Sequence, residues 1–224
     1  MPFPIQCLKY LMLLFVMVFP SAYLYFLKPF IRLKNNRMLE ENLSTIIVYG
    51  LLLLLAAAFG SRGEWYMGSL WFFYPAAVLM GFVNVGAEYL EAAVPVKRKT
   101  GKFPRIQPTS VYRGGFSSAR LLSLILAAAL EELIFRQIVI SGILVPMGLD
   151  IWAAAVLSAF FYSLNHVYFG RFAVIQKMTS GMVYSALFVL SGGNILVSII
   201  CHCVQNLSLF IFTVYRTDSR RNKA

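Results

Sequence analysis

Residues 129 to 139 read ALEELIFRQIV, which places two adjacent glutamates and an arginine inside a run otherwise suited to lipid. The surrounding chain explains the apolar part of this pattern. Of 224 residues, 59% are apolar and 13% charged, and the mean hydropathy of +0.72 excludes an ordinary soluble domain and points to a polytopic membrane protein. Apolar runs of about 17 to 25 residues, enough to cross a ~30 Å hydrocarbon core, recur along the whole chain. Backbone groups in lipid must be satisfied internally, and runs this long are not barrel strands, so the expected fold is an all-α transmembrane helical bundle. Seven spans are expected at residues 7–27, 44–60, 69–93, 119–145, 151–169, 173–190 and 194–215. They divide the chain into three N-terminal helices (1–93), a polar loop (94–118), a four-helix core (119–215) and a basic tail (216–224).

The net charge of +11 is not spread over one face, as nucleic-acid binding requires, but gathered between the apolar runs. With the N-terminus outside, Lys28, Arg32, Lys34 and Arg37 fall inside. So do Lys97, Arg98, Lys99, Lys102, Arg105, Arg113 and Arg120, then Arg171 and Lys177, and finally Arg216, Arg220, Arg221 and Lys223. Only Lys9 and Arg62 are left outside, with Arg136 inside a span, so the positive-inside rule predicts N-out and C-in. Trp65, Tyr66 and Trp152 then lie at the outer boundary, where amphipathic rings are favoured. Lys9 followed by LMLLFVMVF and PSAY imitates a signal peptide, yet the charge count works only if this helix is retained. Cys7, Cys201 and Cys203 are odd in number and sit in or beside apolar runs, which makes them reduced thiols rather than a disulfide framework. SGGN at 191–194 is a tight outer turn.

Ionisable groups within a bilayer are expensive, and by default they mark functional or tightly paired sites. Here they are Glu131, Glu132 and Arg136 in the fourth span, His166 in the fifth, and His202 with Asn206 in the seventh. Glu88 and Glu91 lie at the inner end of the third span, within reach of water or the basic loop. Glu132 and Arg136 are four residues apart, acid first, so they share a helix face and form a favourable pair. Glu131 is about 100° around the helix and is left for another partner. His202 and Asn206 also share a face, and Tyr162 lies one turn before His166. Helical rise from Arg120, Arg171 and Arg216 places Glu131 at ~16 Å, His166 at ~8 Å and His202 at ~21 Å. This spread of ~13 Å means that a span boundary or the assumption of equal helix tilts fails somewhere, and the expected repair extends the fifth helix past Arg171.

A desolvated carboxylate is a competent general base or acid near neutral pH, and histidine and asparagine N–H groups stabilise an oxyanion. This set suits attack of an activated water on a peptide carbonyl. Other hydrolase types fail by inventory: there is no H-E-x-x-H, and Asp150 and Asp218 stand at helix ends, so no aspartyl dyad forms. The serines of GFSSAR at 115–120 have no nearby histidine in sequence, and in CHC at 201–203 alternate residues point apart on a helix. A catalytically silent scaffold or immunity factor of the same fold is the alternative from another class. A proton-relay transporter ranks below it, because no paired broken helices are evident.

Glu131-Glu132-x-x-x-Arg136, a histidine on the next helix and His202-x-x-x-Asn206 two helices later resemble the three motifs of a known family. It is the CAAX protease and bacteriocin-processing family of intramembrane endopeptidases, also called Abi, and the resemblance covers about residues 115–210. The second motif usually begins with phenylalanine; here Tyr162-x-x-x-His166 keeps the aromatic ring and adds a hydroxyl. By resemblance, Glu131 with His166 activates water, His202 and Asn206 bind the oxyanion, and Glu132, Arg136 and Tyr162 support the site. The resemblance implies a glutamate mechanism without a cofactor, although Glu131, His166 and His202 are also a conceivable ligand set for one divalent metal. The expected partners are the lipid bilayer and a membrane-embedded or lipidated substrate, with no nucleic acid. The expected location is a bacterial or archaeal cytoplasmic membrane. The orientation is testable in intact cells: a membrane-impermeant thiol reagent should label Gly192→Cys above the background of the parent chain and should label Lys102→Cys only after permeabilisation.

Overall fold

The computed structural model describes residues 3–27, 30–31, 37–61, 63, 66, 68, 70–104 and 116–221. Lys28, Arg32, Lys34, Arg62, Trp65, Arg105, Arg113 and Lys223, which entered the orientation argument, lie outside these residues. The fold is all-α, in the order α1 (Phe3–Val18), α2 (Pro20–Leu27), α3 (Arg37–Ala58), α4 (Phe73–Thr100), α5 (Ser118–Glu132), a π-helical segment (Leu133–Leu144), α6 (Ile151–Leu164), a 3-10 turn (Val167–Phe169), α7 (Arg171–Leu190) and α8 (Ile195–Arg221). Among the described residues, four stretches are long and apolar enough to cross a membrane: Met38–Ala58, Phe73–Thr100, Arg171–Leu190 and Ile195–Tyr215. Ile5–Val18 and Ile151–Leu164 are apolar but shorter. Large apolar side chains such as Phe15, Leu54, Leu79 and Leu122 point outward, as expected where the solvent is lipid rather than water.

Three element boundaries differ from the sequence reading. The first apolar run is broken at Phe19, and Pro20, which has no N–H to donate, opens α2. The third span continues through Pro95 to Thr100, so the start of the expected polar loop is helical. Lys97, Arg98 and Lys99 occupy its last turn, where cations complement the helix dipole, and Gly101 closes it in the left-handed conformation at φ 73°. The fifth helix stops at Leu164 instead of continuing past Arg171, and α7 starts afresh after Gly170. Asp150 caps the start of α6, accepting from the backbone N–H groups of Trp152 (2.9 Å) and Ala153 (3.2 Å).

The π segment is the axis of the bundle. Residues 134–140 are buried without interruption, and α1, α3, α6 and α8 all pack against this segment. Its wider turn is visible at its exit, where the N–H of Val145 donates to the carbonyl of Ile140 at 3.0 Å. Polar ties fasten the N-terminal helices to this core. The Asn165 amide donates to the Val18 carbonyl (2.7 Å), and the Asn42 amide donates to Ser123 (3.0 Å). The turn at 191–194 joins α7 to α8, and the Asn194 amide donates to Tyr74 of α4 at 3.1 Å.

The long contact between α4 and α8 depends on Gly81. A Cβ there would stand 2.8 Å from the Cys201 carbonyl and 2.8 Å from the Val204 Cβ, whereas at Gly86 it would meet nothing within 4 Å. Gly81→Ala should therefore destabilise the protein by about 1–3 kcal/mol, while Gly86→Ala should be neutral or stabilising. Thermal unfolding of both variants in one detergent compares them directly.

Candidate active site

The site begins where α5 passes into the π segment. Glu132 and Arg136 are both 0% exposed, with Nε to Oε2 at 3.1 Å. The guanidinium also donates to the Gly181 carbonyl of α7 at 3.0 Å and lies over the rings of Tyr162 (4.8 Å) and Tyr184 (5.2 Å). Carbonyl, carboxylate and two π faces together offset part of the hydration that the arginine loses on burial. Gly181 permits this approach: a Cβ there would come within 2.9 Å of the Tyr162 ring.

The pairing expected of Glu132 and Arg136 is present but incomplete as first drawn, because Glu132 has a second partner. Its Oε1 lies 2.8 Å from Nδ1 of His202 on α8. A carboxylate only accepts, so Nδ1 carries the proton and the imidazole orientation is set. The ring is also stacked on Tyr184, with centroids 4.7 Å apart and planes 18° from parallel. The Tyr184 hydroxyl in turn donates to Gln205, whose amide donates to Ser180 at 3.2 Å. Tyr184 and Gln205 were missed in the sequence. Gln205 carried a usable signal as a polar residue three positions from His202 on an apolar helix; Tyr184 carried none, since aromatic residues are frequent throughout this chain.

Glu131 points elsewhere. Its Oε2 is 3.8 Å from Nε2 of His202, and its side chain retains 18% exposure. That exposure faces a cavity of about 700 Å³ lined by Glu131, Tyr162, His166, His202 and Asn206 and by apolar side chains from α2, α5 and α8. The cavity extends to Glu40 and Glu41 near the start of α3. Residues at different heights along their helices therefore open onto one space, which is how His166 reaches it without the helical extension expected from the sequence. His166 sits in the turn after α6, its Nδ1 3.1 Å from the Tyr162 carbonyl. Because a carbonyl only accepts, Nδ1 is again the protonated nitrogen and Nε2 keeps a lone pair. The Tyr162 ring packs against His166, with centroids 5.0 Å apart.

Glu88 and Glu91 find partners on α7. Lys177 pairs with Glu88 at 2.7 Å, Gln176 donates to the Glu88 carbonyl at 2.7 Å, and Thr179 donates to Glu91 at 2.6 Å. Cys201 is buried while Cys203 is partly exposed, as their alternate positions on a helix require. Among the described residues, no three His, Cys, Asp or Glu side chains are grouped to hold a metal ion.

Comparison with known proteins bears on the helices that carry these side chains. Residues 115–208 match the type II CAAX prenyl endopeptidase Rce1-like family. This segment is thus similar to the CAAX protease and bacteriocin-processing family. The match runs from the approach to α5 into α8, so it includes Glu131, Glu132, Arg136, His166, His202 and Asn206 and leaves α1 to α4 outside. No curated protein matches the chain. The family is one of proteases, and with its apolar helices the chain is an integral membrane protein.

Removing one member of a buried ion pair leaves the other charge uncompensated. Arg136→Met should cost roughly 3 kcal/mol of stability, and Glu132→Gln added to it should restore part of the loss. Unfolding of the single and double variants in mixed micelles reads both values.

Proposed function

We propose that the protein is an intramembrane endopeptidase in which Glu131 activates water against a peptide bond. The observation that carries this reading is the shared cavity: Glu131, His166, His202 and Asn206, drawn from three separate regions of the chain, all line it. In the reaction, Glu131 takes a proton from water as the water oxygen bonds to the carbonyl carbon. The His166 Nε2 lone pair is oriented to accept from the same water. Negative charge developing on the carbonyl oxygen is met by the Asn206 amide N–H. His202 adds a second donor when both of its nitrogens are protonated, since Nδ1–H is already given to Glu132. The proton held by Glu131 then passes to the peptide nitrogen as the C–N bond breaks, leaving an amine and a carboxylic acid whose remaining proton is lost to solvent or to the amine. Glu132 and Arg136 hold His202 and the helix junction from outside the cavity, and Tyr162, in the cavity wall, packs against His166 and the guanidinium.

The substrate is a membrane-associated or C-terminally tailed protein. Apolar cavity walls contributed by Phe19, Leu24, Leu124 and Leu209 suit an apolar or lipidated segment entering from the bilayer. The family's description as prenyl endopeptidases makes a prenylated cysteine three residues from the C-terminus the first candidate to try.

Reconstituted in lipid nanodiscs, the protein should cleave a farnesylated peptide of this kind or an apolar-tailed analogue. Glu131→Gln should lower the rate by about 10²–10⁴-fold with unchanged thermal stability, and His202→Ala should also abolish turnover. A chelator should leave the rate unaltered. Equal measurable rates for the wild type and Glu131→Gln would sink Glu131 as the base, and no turnover by the wild type would leave the silent scaffold in its place.

A further inference from the structure

The matched segment does not supply the whole wall around Glu131. Tyr49 of α3, 3% exposed, lines the cavity together with Glu131, His202 and Asn206. It stands on a helix outside residues 115–208. Glu41, Thr45 and Tyr49, at four-residue spacing, form the stripe that α3 turns toward this space. The smaller hydroxyls near this stripe are satisfied by their own helix: Ser44 donates to the Glu40 carbonyl at 2.8 Å and Thr45 to the Glu41 carbonyl at 3.0 Å. A phenol is too long to bond back to its own helix in this way, and in a dry interior its O–H needs a partner across the helix interface. Glu131, on the adjoining helix α5, lines the same cavity and is the carboxylate that faces the Tyr49 hydroxyl. The placement is built into the bundle, since α3 packs along α5 and the Asn42 amide ties the two helices through Ser123 at 3.0 Å.

We propose that Tyr49 is a positioning residue of the site, its hydroxyl donating to one oxygen of the Glu131 carboxylate so that the other is turned to the water in the cavity. This rests on the reading of Glu131 as the base. Glu132 is held by an arginine and a histidine, whereas Glu131 has a longer 3.8 Å approach to His202. Without a donor on its far side, the Glu131 carboxylate would be free to rotate in the cavity. The N-terminal helices therefore complete the catalytic geometry rather than merely anchoring the segment that follows.

Tyr49→Phe keeps the ring and removes only the donor. In nanodiscs kcat should fall about tenfold to a hundredfold, with KM within about twofold of wild type and thermal stability retained. A structural role alone would not move the infrared carboxyl stretch of Glu131, identified as the band that Glu131→Gln removes. In Tyr49→Phe that band should shift, while Tyr74→Phe, beside the 191–194 turn, should leave both the band and kcat unchanged. An unmoved band, or a moved band with unchanged kcat, overturns the inference. Absence of turnover by the wild-type protein on every tailed peptide is a different result, the failure of the endopeptidase reading itself.

Discussion

The buried carboxylate of Glu132 is the point on which three helices converge. One oxygen faces the guanidinium of Arg136 and the other the imidazole of His202. Through Arg136 the carboxylate is tied to α7 at the Gly181 carbonyl, and through His202 to α8. In an apolar interior such charges are tolerated only when each is met by opposite charge or by hydrogen bonds. The rings of Tyr162 and Tyr184 lie against the guanidinium, and Tyr184 also stacks on the imidazole. Moving any one of these groups would strand a charge, so the arrangement fixes the mutual rotation of α5, α7 and α8.

Against that fixed background, Glu131 has a different character from its neighbour. One step along the helix turns it by about 100°, out of the ion pair and toward the cavity. Two chemically identical side chains thereby take separate roles, one holding the structure and the other exposed to whatever enters. His202 stands between them, with Nδ1 given to Glu132 and Nε2 facing Glu131. A histidine held on one nitrogen presents the other in a defined direction.

Much of this was legible in the chain. Apolar run length announced a helical membrane bundle, because lipid leaves the backbone no other way to satisfy its hydrogen bonds. The same constraint marked the few intramembrane charges as the site, since each would be costly if left alone. The Glu132 and Arg136 pair followed from local helical spacing. What spacing could not reveal was Glu132 reaching His202, because that contact joins residues 70 positions apart. Tyr184 and Tyr49 were hidden for a related reason: in a chain rich in aromatic residues, only the packing of helices distinguishes a ring beside a charge from one facing lipid.

The end of the fifth helix illustrates where sequence reasoning stops. Hydropathy runs smoothly toward Arg171 and suggested a longer helix, but the chain turns at Asn165 and His166, with the Asn165 amide tied to the last residue of α1. A contact between residues 147 positions apart is invisible to local pattern. The sequence by itself determined the class of fold and the identity of the polar residues, because the low polarity of the membrane interior acts on every residue in the same way. The tertiary structure alone decided what each glutamate meets beyond its own helix, Glu132 the His202 imidazole and Glu131 the cavity, because that depends on where the partners stand across helix interfaces.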